Sequence, residues 1–163
     1  MAAFKNHEEI LEAAFRDPQN TAINLEPSNV NKVIKSGAYD ADPDLHYTKT
    51  QLWDMEYNKA HNPGKYLRHI LRSGSVRIFN VHKDVEDLEG KKIVTGPQAL
   101  FHVEHSVTGT EDEPLNVWRI VHLDKDEDGK INEAFAKMGA SPYLREFNEV
   151  YIREDLGKKL NRV

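Results

Sequence analysis

The sequence predicts an α+β fold in which helices pack on an antiparallel sheet, and three observations carry that expectation. A capping box at "TKTQ", Thr48 to Gln51, opens a helix, and Asn62 followed by Pro63 opens another. Residues 99–107 alternate, with Ala99, Phe101, Val103, His105 and Val107 on one side and Leu100, His102, Glu104 and Ser106 on the other, the period of a strand. "NVWRIVHL", residues 116–123, is rich in β-branched and aromatic types and carries no helical start signal.

Taken in chain order, "HEEILEAAFR" and "PSNVNKVIK" read as short helices separated by the Pro, Asn, Asp and Gly of loops, so residues 1–47 are expected to form an arm or lid ahead of a domain at 48–163. The capping box should carry a helix to about His61, and the one opened by Pro63 should stop before Gly74. "SVRIFNV", residues 75–81, reads as a strand, "HKDVEDLEGKK" as a polar connection, "TGTEDEPL" as a turn, and the last 25 residues as closing with a short helix.

The bulk numbers remove several classes of function. At 163 residues one domain can bury a continuous core unaided. With no cysteine there is no disulfide framework, thiolate metal site or cysteine nucleophile, which suits a reducing compartment, and a cytoplasmic location is expected. The first residues resemble neither a signal peptide nor a membrane anchor. A net charge of −5 with both signs interspersed gives no footprint for nucleic acid. A small ligand is expected.

"VHLDKDEDGKINEAF", residues 121–135, tests whether the chain binds calcium. Asp124, Asp126, Asp128, Gly129 and Ile131 match positions 1, 3, 5, 6 and 8 of an EF-hand loop, but position 12 is Phe135, which cannot supply the two carboxylate oxygens. Ile131, Glu133 and Phe135 alternate with Asn132 and Ala134, so the segment is expected to be the second strand of a hairpin with an acidic turn. Leu123 would then face Lys130, and Trp118, Ile120 and His122 would share a face with Phe135, Glu133 and Ile131. Setting Thr108 against Leu115 likewise places His105 opposite Trp118 and Val103 opposite Ile120. All three strands then present one apolar face bearing His105, His122 and Glu133, with Glu133 and His122 diagonal neighbours at about 7–8 Å. The other face, with His102, Glu104 and Arg119, would be exposed or at a dimer interface.

Over residues 48–140, "LWDMEYNKAHNPGKYLRHIL", the following "SVRIF" and the hairpin "VWRIVHLDKDEDGKINEAF" resemble the nuclear transport factor 2-like superfamily, and within it the SnoaL-like, polyketide-cyclase-like group. The family usually has a third helix before four long strands, which this chain lacks room for. The resemblance implies a curved sheet wrapped against helices into a cone-shaped apolar pocket, and often a homodimer. A second sheet face apolar through Val117, Val121 and Leu123 agrees with a dimer.

An ionisable side chain interrupting an apolar face has its pKa displaced toward catalytic use. On that ground His105 is the expected proton-transfer residue and Glu133 its partner. The resemblance adds Asp54, with Glu56 competing for the role. Trp53, Phe101, Trp118 and Phe135 would form the walls, and Tyr57 and His122 polar contacts. The function expected is cofactor-independent acid–base chemistry of the isomerase, cyclase or dehydratase type on a small, largely apolar metabolite. The alternatives are a non-enzymatic binding or dimerisation domain, and a metal-dependent protein using His102 and Glu104 with a second histidine such as His61, His69 or His82.

Overall fold

The computed structural model describes residues 2–68, 92–94 and 101–163. Its elements are helix α1 (Ala2–Arg16), strands β1 (Thr21–Asn24) and β2 (Ser28–Asn29), helix α2 (Val30–Ile34), strand β3 (Tyr39–Ala41), helices α3 (Lys49–His61) and α4 (Pro63–Tyr66), strands β4 (Lys92–Val94), β5 (Phe101–Gly109) and β6 (Pro114–His122), helices α5 (Lys130–Gly139) and α6 (Glu146–Val150), a π-helical turn (Tyr151–Asp155) and strand β7 (Leu160–Arg162). The fold is mixed α+β with antiparallel pairing. A five-stranded sheet has the order β1-β6-β5-β4 with β2 also on β6, and β3 pairs β7 in a second sheet. The helix opened by Pro63 ends at Tyr66, well short of the expected stop before Gly74, and the expected strand at 75–81 and Ala99 lie outside the described residues.

Two compact units divide the chain, one of Met1–Pro27, Lys92–Ser106 and Val117–Ser141, the other of Ser28–Lys91, Val107–Asn116 and Pro142–Val163. The boundary expected at residue 47 does not coincide with this division. Residues 21–24 and 28–29 pair with β6, so the segment read as an arm supplies strands to the sheet.

In the first unit, α1 presents Leu11, Ala14 and Phe15, a stripe at helical spacing, to Val121 of β6, with Leu123 against the same cluster. Val121 is wholly buried, so the face expected to be bare for a dimer is covered by the chain's own first helix. Arg119 on that face donates to Glu12 at 2.8 Å, approaches Glu104 at 3.6 Å and lies over the Phe15 ring. His102 and Glu104, expected at the surface, are buried here. The face read as apolar, with Phe101, Val103 and His105, is half-buried. The β5–β6 register agrees with the expected one: the His105 and Trp118 rings meet at 6.0 Å, and those of Phe101 and His122 at 4.9 Å. Gly109 ends β5 with φ +80°, and a side chain there would strike the Glu113 carbonyl, so the turn requires glycine.

The second strand of the expected hairpin is instead helix α5. Gly129 turns the chain at φ +68°, and both oxygens of Asp126 accept backbone N–H groups, from Ile131 at 3.3 Å and Asn132 at 3.0 Å, satisfying donors that open a helix. Ile131, Phe135 and Met138 recur at i, i+4 and i+7, and three alternating residues were too few to separate that period from a strand's.

In the second unit, the Thr48–Gln51 capping box forms as expected and starts α3. Asn62 occupies the cap of α4 but makes no side-chain cap hydrogen bond. Asn31, buried, donates to the Tyr47 carbonyl at 2.7 Å and accepts from the Tyr47 N–H at 2.8 Å, replacing a strand partner and fixing the chain just ahead of α3. Tyr39, buried, donates to Glu149 at 2.6 Å, and Arg162 donates to the same oxygen, tying β3 and β7 to α6.

Candidate functional site

The residues singled out from the sequence fall into separate settings. Phe101, His122 and Phe135 do meet in the first unit: the Phe101 ring contacts both others, and Phe135 arrives from a helix. His122 Nδ1 lies 3.2 Å from the Asp124 carbonyl, which can only accept, so its proton sits on that nitrogen. His105 pairs with Trp118. Glu133 does not join them. It sits on the outer side of α5, exposed, in an ion pair with Lys137 at 2.9 Å, so it cannot partner His105 or orient His122. Among the described residues no group of three His, Cys, Asp or Glu side chains is placed to hold a metal, and the Arg119 cation beside Glu104 repels one there.

The second unit holds the denser arrangement of ionisable groups. On α3, the inner side carries Leu52, Trp53 and Met55 together with Glu56 and Lys59. Glu56, wholly buried, accepts from Asn116 at 2.9 Å and from Lys59 at 2.6 Å, and Lys59 lies 3.8 Å over the Phe147 ring. Burial pushes the Lys59 ammonium below its ordinary pKa, and the Glu56 carboxylate opposes the shift without cancelling it.

Asp54, one residue past Trp53, points to a different network. Its Oδ2 accepts from Tyr151 at 2.9 Å and from Asn58 at 3.4 Å. Asp155 accepts from Tyr66 on one oxygen and from Lys65 on the other. Tyr151 and Asp155 are the two ends of the π turn, in which the Leu156 N–H donates to the Tyr151 carbonyl five residues back at 3.0 Å. Such turns recur at functional sites because they re-aim side chains within a helix. Burial, and then the hydrogen bond to a carboxylate, raises the pKa of both Tyr151 and Tyr66, so each stays a neutral donor. Tyr47 packs on Tyr151 at 5.7 Å, is wholly buried and is also raised, by burial first and then by Tyr151 and the carboxylates of Glu56 and Asp54.

This network reaches a polar cleft of about 280 Å³ lined by Asn58, His61, Asn62, Lys65, Tyr66 and Asp155. His61 Nδ1 lies 3.1 Å from the Tyr57 carbonyl, which fixes the proton on Nδ1 and leaves Nε2 as the basic nitrogen. The Tyr57 ring packs against that imidazole at 4.2 Å. Of the expected site residues, Asp54 and Tyr57 therefore belong to this group, while Trp53 is core. Lys65, Tyr66, Tyr151 and Asp155 were not expected, and His61 was named only as a candidate second histidine for the metal-dependent alternative. Asp54, Asn58, His61 and Lys65 stand at i, i+4, i+7 and i+11, a polar stripe that the sequence did contain.

No family model, no curated protein and no solved structure matches the chain. The likeness to the SnoaL-like group rests on the quoted motifs alone. Among the described residues no helix is long and apolar enough to cross a membrane.

Proposed function

We propose that the chain is a cofactor-independent acid–base enzyme of the isomerase or lyase type, acting on a small polar carbonyl compound in the cleft between α3, α4 and the π turn. The carrying observation is that His61, with its basic nitrogen fixed as Nε2, shares the cleft with a neutral tyrosine hydroxyl and an ammonium group joined on one carboxylate. A base takes the proton beside a carbonyl and a cation stabilises the oxyanion that forms; Lys65, with N–H groups beyond the one it gives Asp155, is that cation, and Tyr66, whose hydroxyl proton goes to Asp155, holds the carboxylate in place. Asp54 acts behind them, through Asn58 and Tyr151, as a positioning residue. The polar lining supports a polar substrate in place of the apolar one expected from the sequence.

A thermal-shift screen of carbonyl metabolites, followed by proton NMR of each stabilising compound with the protein in D₂O, tests this reading. Stabilisation accompanied by carbon–deuterium exchange, with exchange reduced about 100-fold or more in His61→Gln, is the expected result. Compounds that stabilise the protein but never exchange would make this a binding domain.

A further inference from the structure

We infer that the substrate class is a short α-hydroxy carbonyl compound, an aldose or ketose of a few carbons, and that the reaction is its aldose–ketose isomerisation. This rests on the proton-transfer reading above and adds the identity of what is bound. The cleft wall consists of two carboxamides, an imidazole, an ammonium, a phenol and a carboxylate, so nearly every lining residue offers a directed hydrogen bond. The Asn58 amide hydrogens go to Asp54 and Tyr66, so its carbonyl oxygen, together with the Asn62 carboxamide four residues on, is what faces ligand hydroxyls. Lys65 uses one N–H on Asp155 and keeps two more for a ligand oxygen, and Tyr66 donates to the other oxygen of the same carboxylate. The two cation–carboxylate pairs at this edge, Lys65–Asp155 and Arg68–Glu154, balance each other's charge, so a neutral hydroxylated ligand fits better than an anion.

The chemistry balances without a co-reactant. His61 Nε2 takes the proton from the hydroxyl-bearing carbon. The C–H electron pair becomes the carbon–carbon double bond of an enediolate, and the carbonyl pair moves onto oxygen, where the Lys65 ammonium meets it. The imidazolium returns the proton to the former carbonyl carbon, a proton passes from one enediol oxygen to the other, and the carbonyl reforms one carbon along. No atom is gained or lost, and nothing is oxidised or reduced overall.

The test is proton NMR in D₂O with wild-type protein and two sets of probes: glycolaldehyde, D-glyceraldehyde and dihydroxyacetone, and, lacking the α-hydroxyl, acetone and pyruvate. Expected are deuterium at C2 of glyceraldehyde, its conversion to dihydroxyacetone, and a rate lowered by about 100- to 10,000-fold in His61→Gln with an unchanged circular dichroism spectrum. Lys65→Met, which removes the cation that meets the oxyanion, should lower the rate with an unchanged circular dichroism spectrum. Exchange of acetone or pyruvate without exchange of the hydroxy carbonyls would overturn the substrate class and leave acid–base chemistry standing. No exchange in either set would overturn both, and equal exchange in folded His61→Gln would remove His61 as the base.

Discussion

Glu56 with Lys59 in the second unit, and Glu133 with Lys137 in the first, are both carboxylate–ammonium pairs within one helical turn, at 2.6 and 2.9 Å. Their side chains are 0% and 6% exposed in the first case and 64% and 75% exposed in the second. Water screens the outer pair and contributes as much to the separated ions as to the bridge. The inner pair has lost that alternative, so each ion depends on the other, on Asn116 and on the Phe147 ring. Two pairs alike in spacing thus differ in what they can do: one solubilises a helix, and the other makes the interior of the second unit sensitive to every charge placed in it. The tyrosine–carboxylate network lies in that same unit.

Lys59→Met should separate the two cases most sharply. Leaving Glu56 buried without its cation should cost about 3–5 kcal/mol, read as a lowered denaturant midpoint, and Glu56→Leu with Lys59→Met should restore most of it. If the single variant were as stable as wild type, the pair would not be sealed as described. A second, smaller effect concerns the tyrosines. Tyr151→Phe removes a hydrogen bond to a carboxylate and should cost about 1.5–3 kcal/mol at neutral pH. Tyr39, Tyr47, Tyr66 and Tyr151 hold their protons more tightly folded than unfolded, where the ordinary value is 10.0. The stability this confers is fully present below pH 10 and is lost as pH rises through the folded values, because the unfolded chain then releases protons the folded chain keeps. Wild type should therefore lose stability steeply above about pH 10, and Tyr151→Phe less steeply, in denaturation series at several alkaline pH values. The smallest effect belongs to the outer pair. Glu133→Ala should change stability by no more than about 0.5 kcal/mol, and it should leave any carbonyl-exchange activity unaltered. A large loss of activity in that variant would return Glu133 to the site and contradict its place on the outside of α5.

Much of the framework was legible. The capping box at Thr48, the strand at 101–109 and the register that sets His105 against Trp118 all follow from local patterns, because caps, alternation and turn length act over a few residues. The stretch after Gly129 was misread for a reason in the residues themselves. Ile131, Glu133 and Phe135 satisfy alternation, but Ile131, Phe135 and Met138 also satisfy the helical period, and the Asp126 carboxylate decides between them by bonding two backbone N–H groups. With that strand gone, Glu133 left the proposed constellation.

What the sequence by itself determined is local: where helices begin, which segments alternate, that no thiol chemistry is present, and that Asp54 and Tyr57 stand on one capped helix. What only the tertiary structure decided is which polar groups lost their water. Nothing in the spacing around Glu56 and Lys59 shows that both are sealed from water, and Tyr151 and Asp155 lie 97 and 101 positions beyond Asp54, whose own helix cannot reach them without the fold. Desolvation and long-range hydrogen bonding depend on what packs across from a residue, and neither leaves a mark in the spacing of the residues beside it.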